Sequence, residues 1–286
     1  MKSKNVRKAV FAGSWYPARA SDCEREIKQF LSEGEGLKAS GRELMGGIVP
    51  HAGWFFSGSI ACNVISSLQS EKAPDVIVVF GMHLAPDSSF FLMPEGAWET
   101  PFGDISVETR LAGELAEQFQ FSLETPARFS QDNTVELQLP FIKYFFKDSK
   151  IVAVGVPPSS RSLKIGKAVV EISKRLGLKI KVIGSTDLTH YGHNYGFVSR
   201  GTGAQAVEWV KTENDRRLID IMLAMEPEKV IREALASHNA CCAGAAAAAI
   251  ASGIELGSDR AERIAYATSY DKSPGDSFVG YVGIVF

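Results

Sequence analysis

The chain has 286 residues, 45% hydrophobic and 22% charged, with 31 basic against 33 acidic side chains and a formal net charge of −2. This length and balance allow a large core that needs no disulfide staples. A near-neutral chain has no basic field to hold nucleic acid, and its apolar runs are broken by Gly, Pro or charge well short of a membrane span, so neither partner class is expected.

The opening stretch, "MKSKNVRKAVFAGSWYP", is basic but lacks an apolar h-region, so no secretory signal is expected. "SDCEREIKQFLSEG" predicts a first helix with Ser21 as N-cap, Glu24 completing a capping box, and an end near Gly34. "MGGIVP" predicts a short buried strand, and "SGSIACNVISSLQS" has the apolar spacing of a helix. "PDVIVVFG" is a continuous β-branched run, the mark of a strand covered on both faces. Residues 84–104 are rich in Pro, Gly and aromatics and predict a loop or hairpin. "SVETRLAGELAEQF" predicts a helix, "KIVAVGVPP" a strand, "SLKIGKAVVEISKRLG" a helix and "KIKVIGSTD" a strand. Residues 213–251 predict helices divided at Pro227 and at "SHNACC", with the alanine run at 245–249 as a helix interior. "ERIAYATSYD" and "DSFVGYVGIVF" predict two closing strands. Strands alternating with helices give an α/β fold with helices flanking one central, largely parallel sheet. Its core strands are expected at 46–50, 75–80, 151–156 and 179–184. With no internal repeat and no linker, 1–286 is expected to be a single domain.

The cysteines are Cys23, Cys62, Cys241 and Cys242. They form no CxxC pair, and a vicinal pair is a poor disulfide, so a reducing, cytoplasmic compartment is expected. Cys23 and Cys62 fall at core spacing within predicted helices and read as packing.

In an open α/β sheet, ligands bind outside the carboxyl ends of the strands. His51 follows strand "GGIVP", His83 follows "VIVVFGM", and "GSTDLTHYGHN" puts Asp187 and His190 just past "KIKVI". A single histidine in a turn is commonly structural, but three strand ends carrying such residues point to a site. Cys242 or its neighbour Cys241 is a fourth candidate, because both precede a helix whose dipole favours a thiolate. Adjacent residues at a helix start point about 100° apart, so only one is expected to face a pocket. His193 and His238 lie nearby and rank lower. Two histidines with one anionic ligand and open positions suit iron(II) or another divalent metal. His190 with Asp187 suits a general base whose tautomer the Asp fixes. Trp15, Tyr16, Trp54 and Phe55 are candidates to line the pocket.

Ordered motifs run nearly end to end: "AGSWYP" at 12–17, "VPHAGWFFSG" at 49–58, "GMHLAP" at 81–86, "TPFGDI" at 100–105, "VELQLPF" at 135–141, "GSTDLTHYG" at 184–192, "HNACCAG" at 238–244 and "DSFVGYVGIVF" at 276–286. With these the chain resembles the Memo family, also called AmmeMemoRadiSam system protein B, which is related in fold to the LigB-type class III extradiol dioxygenases. The resemblance implies a three-layer α/β/α fold with a mixed, largely parallel sheet. It implies a metal site of His51, His83 and, by spacing from "HN", Cys242, with iron(II) as the ion and zinc or copper as others the softer sulfur admits. It matches His190, with Asp187 beside it, to the proton-moving position. The segment before "VELQLPF" usually carries a histidine in the family where this chain has Asn133, while Glu136 remains. The family's animal members are linked to cell motility and phosphotyrosine peptide binding; its bacterial and archaeal members tend to accompany a radical SAM protein and an AMMECR-type protein. The expectation is therefore a non-heme iron, dioxygenase-like oxidoreductase acting on a small molecule or peptide. A non-catalytic peptide- or partner-binding module and a zinc hydrolase are the alternatives.

Overall fold

The runs GGIV, VIVVFG, KIVAVG and IKVIGS show no polar alternation, and each becomes a strand buried on both faces apart from one exposed end residue, Lys150. The computed structural model describes residues 5–34 and 42–286; the first four residues of the basic opening stretch lie outside that range. In chain order the strands are β1 (Val6–Arg7), β2 (Gly46–Val49), β3 (Val76–Gly81), β4 (Phe90–Leu92), β5 (Ala97–Trp98), β6 (Ile105–Ser106), β7 (Phe121–Leu123), β8 (Lys150–Gly155), β9 (Ile180–Ser185), β10 (His190–Tyr191), β11 (Glu262–Thr268) and β12 (Phe278–Val285). Among the described residues, nine of them form the main sheet, in the order β10-β12-β2-β9-β3-β8-β4-β7 with β11 also on β12. Its centre, β2-β9-β3-β8, is parallel throughout. The pairings of β10, β11 and β2 with β12, and of β4 with β8, are antiparallel. β1, β5 and β6 make a separate small sheet.

Helices cover both faces, which gives three layers. The helices are α1 (Ala20–Glu33), α2 (Trp54–Ser67), α3 (Thr109–Gln118), α4 (Asn133–Glu136), α5 (Leu139–Phe145), α6 (Ser160–Arg175), α7 (Ala204–Trp209), α8 (Asp215–Leu223), α9 (Pro227–Ser237) and α10 (Ala243–Glu255). Gly47 has no side chain because Val64 of α2 packs 2.7 Å from where a Cβ would stand. Gly184 on β9 is the lateral partner of Ile48, and there the backbone of α10 at Ala245 lies 2.8 Å from a Cβ position. Since Gly47 and Ile48 point to opposite faces, α2 and α10 cover opposite sides. The alanines of α10 are buried all round, and their small size lets the helix backbone approach the sheet. Lys181 is fully buried inside β9, its ammonium donating to the Leu44 carbonyl and to Glu43. No helix among the described residues is long and apolar enough to cross a membrane.

The first helix starts differently from the expectation. It begins at Ala20, with Arg19 as its extended N-cap, so Ser21 sits inside the first turn and no capping box forms. Asp22 dominates that turn, accepting from Arg19 at 2.6 Å and Arg25 at 2.9 Å, while Glu24 pairs instead with Lys28 at 2.7 Å. The helices at 215–255 break at Pro227 and at "SHNACC" as their sequence predicts, with an added π-helical turn at Val210–Asn214.

Candidate metal centre

β2, β3 and β9 are parallel neighbours, so their carboxyl ends share one edge of the sheet. His51 lies two residues past β2, His83 two past β3 and Asp187 two past β9. Met82 takes a left-handed turn (φ 74°) that a non-glycine residue adopts only when it is held. It is held by Thr134, whose Oγ1 accepts the Met82 N–H at 2.7 Å. After that turn the His83 ring stands edge-on to His51, with centroids 4.9 Å apart. Opposite them, the chain entering α10 brings Cys241 and Cys242. The Cys241 N–H donates to the Asp187 carbonyl at 3.2 Å and the Cys242 N–H to Thr186 Oγ1 at 3.1 Å, which ties this segment to the end of β9.

One side-chain nitrogen or sulfur from each of His51, His83, Cys241 and Cys242 lies within 4.8 Å of the others. The Cys241 sulfur is 3.3 Å from His51 Nε2. Ser185 Oγ gives its proton to the Thr134 carbonyl at 2.7 Å, so it can only accept from His51 Nδ1 at 3.0 Å. That fixes a proton on Nδ1 and turns Nε2 toward the cysteine. His83 is fixed in the same way by Asp132, whose Oδ2 lies 3.1 Å from Nδ1 and 3.2 Å from the His83 backbone nitrogen. The other Asp132 oxygen accepts from the Thr134 N–H at 2.9 Å and from its hydroxyl. Orienting a ligand imidazole through its second nitrogen is the usual support of a metal-binding histidine.

The titrating groups favour imidazolium against a Cys241 thiolate, and a bound metal would displace those protons. Burial pushes the Asp132 carboxyl up, but hydrogen bonds from His83 and Thr134 outweigh it and hold its pKa at about 2. Burial lowers the His83 imidazole, but bonds to Asp132 and Cys241 outweigh that and raise it to about 10. Burial pushes the Cys241 thiol up, yet the hydrogen bond from Cys242 and the two histidines hold it well below the ordinary thiol range. Burial and the charge on Cys241 push Cys242 up. In a tetrahedral site with metal–nitrogen and metal–sulfur bonds of about 2.0–2.3 Å, donors stand about 3.3–3.8 Å apart. The His51–Cys241 separation already meets that spacing, and the widest pair in the cluster needs to close by only about 1 Å. The residues present therefore fit an ion.

Both thiols belong to this cluster, whereas helix geometry predicts one and the family resemblance points to Cys242. The reason is that neither residue is yet helical. Cys242 is the N-cap of α10, with φ −129° and ψ 52°, so the helical 100° spacing does not govern the pair. Cys241 makes the direct contact with His51, while Cys242 is buried beneath it.

His190 and Asp187 both line a cleft of about 610 Å³ that opens onto His51 and His83. Their relation differs from the expectation that Asp187 sets the His190 tautomer. Asp187 Oδ1 is taken by the His51 backbone N–H at 2.7 Å, and burial raises its pKa. His190 Nδ1 donates instead to the Leu188 carbonyl at 3.1 Å, and Tyr195 meets the ring edge-on at 4.9 Å. His190 Nε2 is left as the accepting nitrogen. Trp15 and Phe55 line the cleft, but Tyr16 and Trp54 are buried: Tyr16 donates to Glu136, and Trp54 stacks on Phe141. Glu136 is likewise structural, accepting the Phe11 N–H at 2.7 Å. Asn133 lines the cleft while donating to the His51 carbonyl at 2.8 Å. His193 is exposed outside the cleft, and His238 faces a second cavity of about 650 Å³ that Cys241 and His190 also line. No motif in the sequence marks Asp132 as the partner of His83, although an Asp one residue before a short helical "NTVE" is itself an N-cap signal.

The family model described as Memo-like protein matches residues 7–285. This chain belongs to the Memo-like family. It is 34% identical over 289 residues to a MEMO1 family protein of Pyrococcus furiosus, covering 98% of each chain. It is 31% identical to MEMO1 family proteins of Thermococcus kodakarensis and of Pyrobaculum aerophilum, covering 98% of this chain and 99% of theirs. Its fold is similar to the crystal structure of an uncharacterized protein from Escherichia coli K12, with a TM-score of 0.53 at 9% identity, covering 84% of this chain and 99% of that one. In this Memo-like chain the HNACC segment thus supplies two sulfurs, of which Cys241 is in contact with His51.

Proposed function

We propose that this chain is a metal-dependent oxidoreductase of dioxygenase-like type, with His51, His83 and the Cys241 thiolate holding the ion. The observation that carries the reading is the pair of imidazoles whose Nδ1 atoms are held by Ser185 and Asp132 and which converge with the Cys241 sulfur in one cluster. Two neutral imidazoles and one thiolate leave a divalent ion at net charge +1, as two imidazoles and a carboxylate would, which suits iron(II). When bound, the ion would supply Lewis acidity and, as iron(II), one-electron chemistry. His190, which lines the cleft, would accept a proton at Nε2, with its Nδ1–H kept on the Leu188 carbonyl. Asp187, buried, borders the same cleft. Trp15, Phe55 and Asn133 would border the substrate. The family likeness also supports work alongside a radical SAM protein and an AMMECR-type protein, and four free thiols support a cytoplasmic location.

Anaerobic titration of iron(II) into the full chain tests the reading. One ion per chain is expected, with binding lost in His51→Ala and His83→Ala. A wild-type chain that takes up no divalent ion would overturn the metal centre and favour a binding module. Asp132→Asn should keep the fold but weaken iron(II) about 10–100-fold, the usual effect of losing a ligand's outer partner. The same titration reads it, and unchanged affinity would remove Asp132 from the centre.

A further inference from the structure

His51, His83 and Cys241 are enough to hold an ion, yet a fourth soft donor stands in the same cluster. The Cys242 sulfur lies within 4.8 Å of the other three donor atoms. Its position is built rather than incidental. Thr186 Oγ1 holds its backbone N–H at 3.1 Å, and the neighbouring Cys241 N–H is held by Asp187, so both cysteines are tied to the end of one strand. Cys242 occupies the N-cap of α10 without using its side chain as a cap, so the sulfur is not spent on the helix. It is 2% exposed and belongs to the main buried core.

Resting on the reading that His51, His83 and Cys241 hold an ion, we infer that Cys242 supplies a fourth donor and closes the resting centre as a two-histidine, two-cysteine tetrahedron. Two thiolates bring a divalent ion to net zero, a charge that a buried site accommodates more easily than +1. Cys242 would give up its proton only as the ion binds, as thiol ligands do. A second sulfur would shift the resting centre's preference toward zinc(II) or copper(I), because thiolates are soft ligands and a tetrahedron suits those ions, and its release would return the open three-donor set that suits iron(II). Substrate would then reach the ion only when the Cys242 sulfur leaves or the coordination number rises. Cys242 therefore sets which ion the resting protein keeps and how open the centre is.

Cobalt(II), a spectroscopic stand-in for zinc, is titrated anaerobically into the full chain and into Cys242→Ser and Cys242→Ala. The near-ultraviolet sulfur-to-cobalt absorption counts thiolates, and the visible bands report geometry. Wild type should show tetrahedral bands, and the sulfur absorption should fall by about half in both variants, from two thiolates to one. Competition of zinc(II) with iron(II) should favour zinc more strongly in wild type than in either variant. Equal sulfur absorption in wild type and both variants would overturn the fourth donor and leave the three-donor centre standing. No cobalt uptake by wild type would overturn both. Serine is a good N-cap, so Cys242→Ser is expected to fold; Cys242→Ala removes any donation from the serine hydroxyl.

Discussion

Cys241→Ser is expected to reduce iron(II) affinity by more than the ~10–100-fold that loss of an outer partner such as Asp132 costs. The substitution removes the one sulfur in contact with His51, at 3.3 Å. A serine hydroxyl does not ionise near neutral pH, so the centre would lose its anionic ligand and the compensation of the ion's charge. Its shorter side chain also retreats from the cluster. The titration is read against wild type and against Cys23→Ala, a cysteine buried in α1 away from the strand ends. Comparable far-ultraviolet circular dichroism would show that the fold persists. Unchanged affinity in Cys241→Ser would move the anionic ligand to Cys242 alone.

Arg7→Ala is expected to destabilise the protein by about 3–5 kcal/mol, the usual consequence of stripping one partner from a buried ion pair. Arg7 is 3% exposed, with its guanidinium 3.9 Å from the Trp98 ring centre and 4.0 Å from that of Phe129. It pairs with buried Glu124 at 2.7 Å and donates to the Ser130 carbonyl at 2.9 Å. Alanine would leave the Glu124 carboxylate without its cation, the Ser130 carbonyl without that donor and the two rings without a filling between them. Chemical denaturation of wild type and variant measures the difference, provided both unfold in one step. Adding Glu124→Gln should recover part of the loss by removing the stranded charge. A loss below about 1 kcal/mol, the scale of an exposed pair, would contradict the buried role assigned to Arg7. The effect should extend to the site. Glu124 also accepts the Ser130 N–H at 2.7 Å, so Arg7 and Glu124 together pin the segment that runs into Asp132.

The core strands were legible because burial on both faces leaves a local mark, an unbroken β-branched run, and all four expected cores coincide with β2, β3, β8 and β9 to within about a residue. The strand ends were legible for the same reason, and with them the placing of His51, His83 and Asp187 on one edge, because parallel strands of one sheet have no other way to end. Helix caps were less so: Ser21 and Glu24 match a capping box, but Asp22 draws two arginines and moves the start. The partners of the site residues were not legible at all. His51 meets Cys241 across 190 residues, Ser185 across 134 and the Asn133 side chain across 82, while His83 meets Asp132 across 49. Sequence spacing carries no record of such meetings. The choice between Cys241 and Cys242, the partner that orients His190 and the aspartate behind His83 depended on where side chains point once distant segments are packed. The sequence by itself determined the sheet, its edge and the kinds of donor brought there. Only the tertiary structure decided which nitrogen and which sulfur face each other, because those directions come from turns and caps held by non-local hydrogen bonds rather than by local propensity.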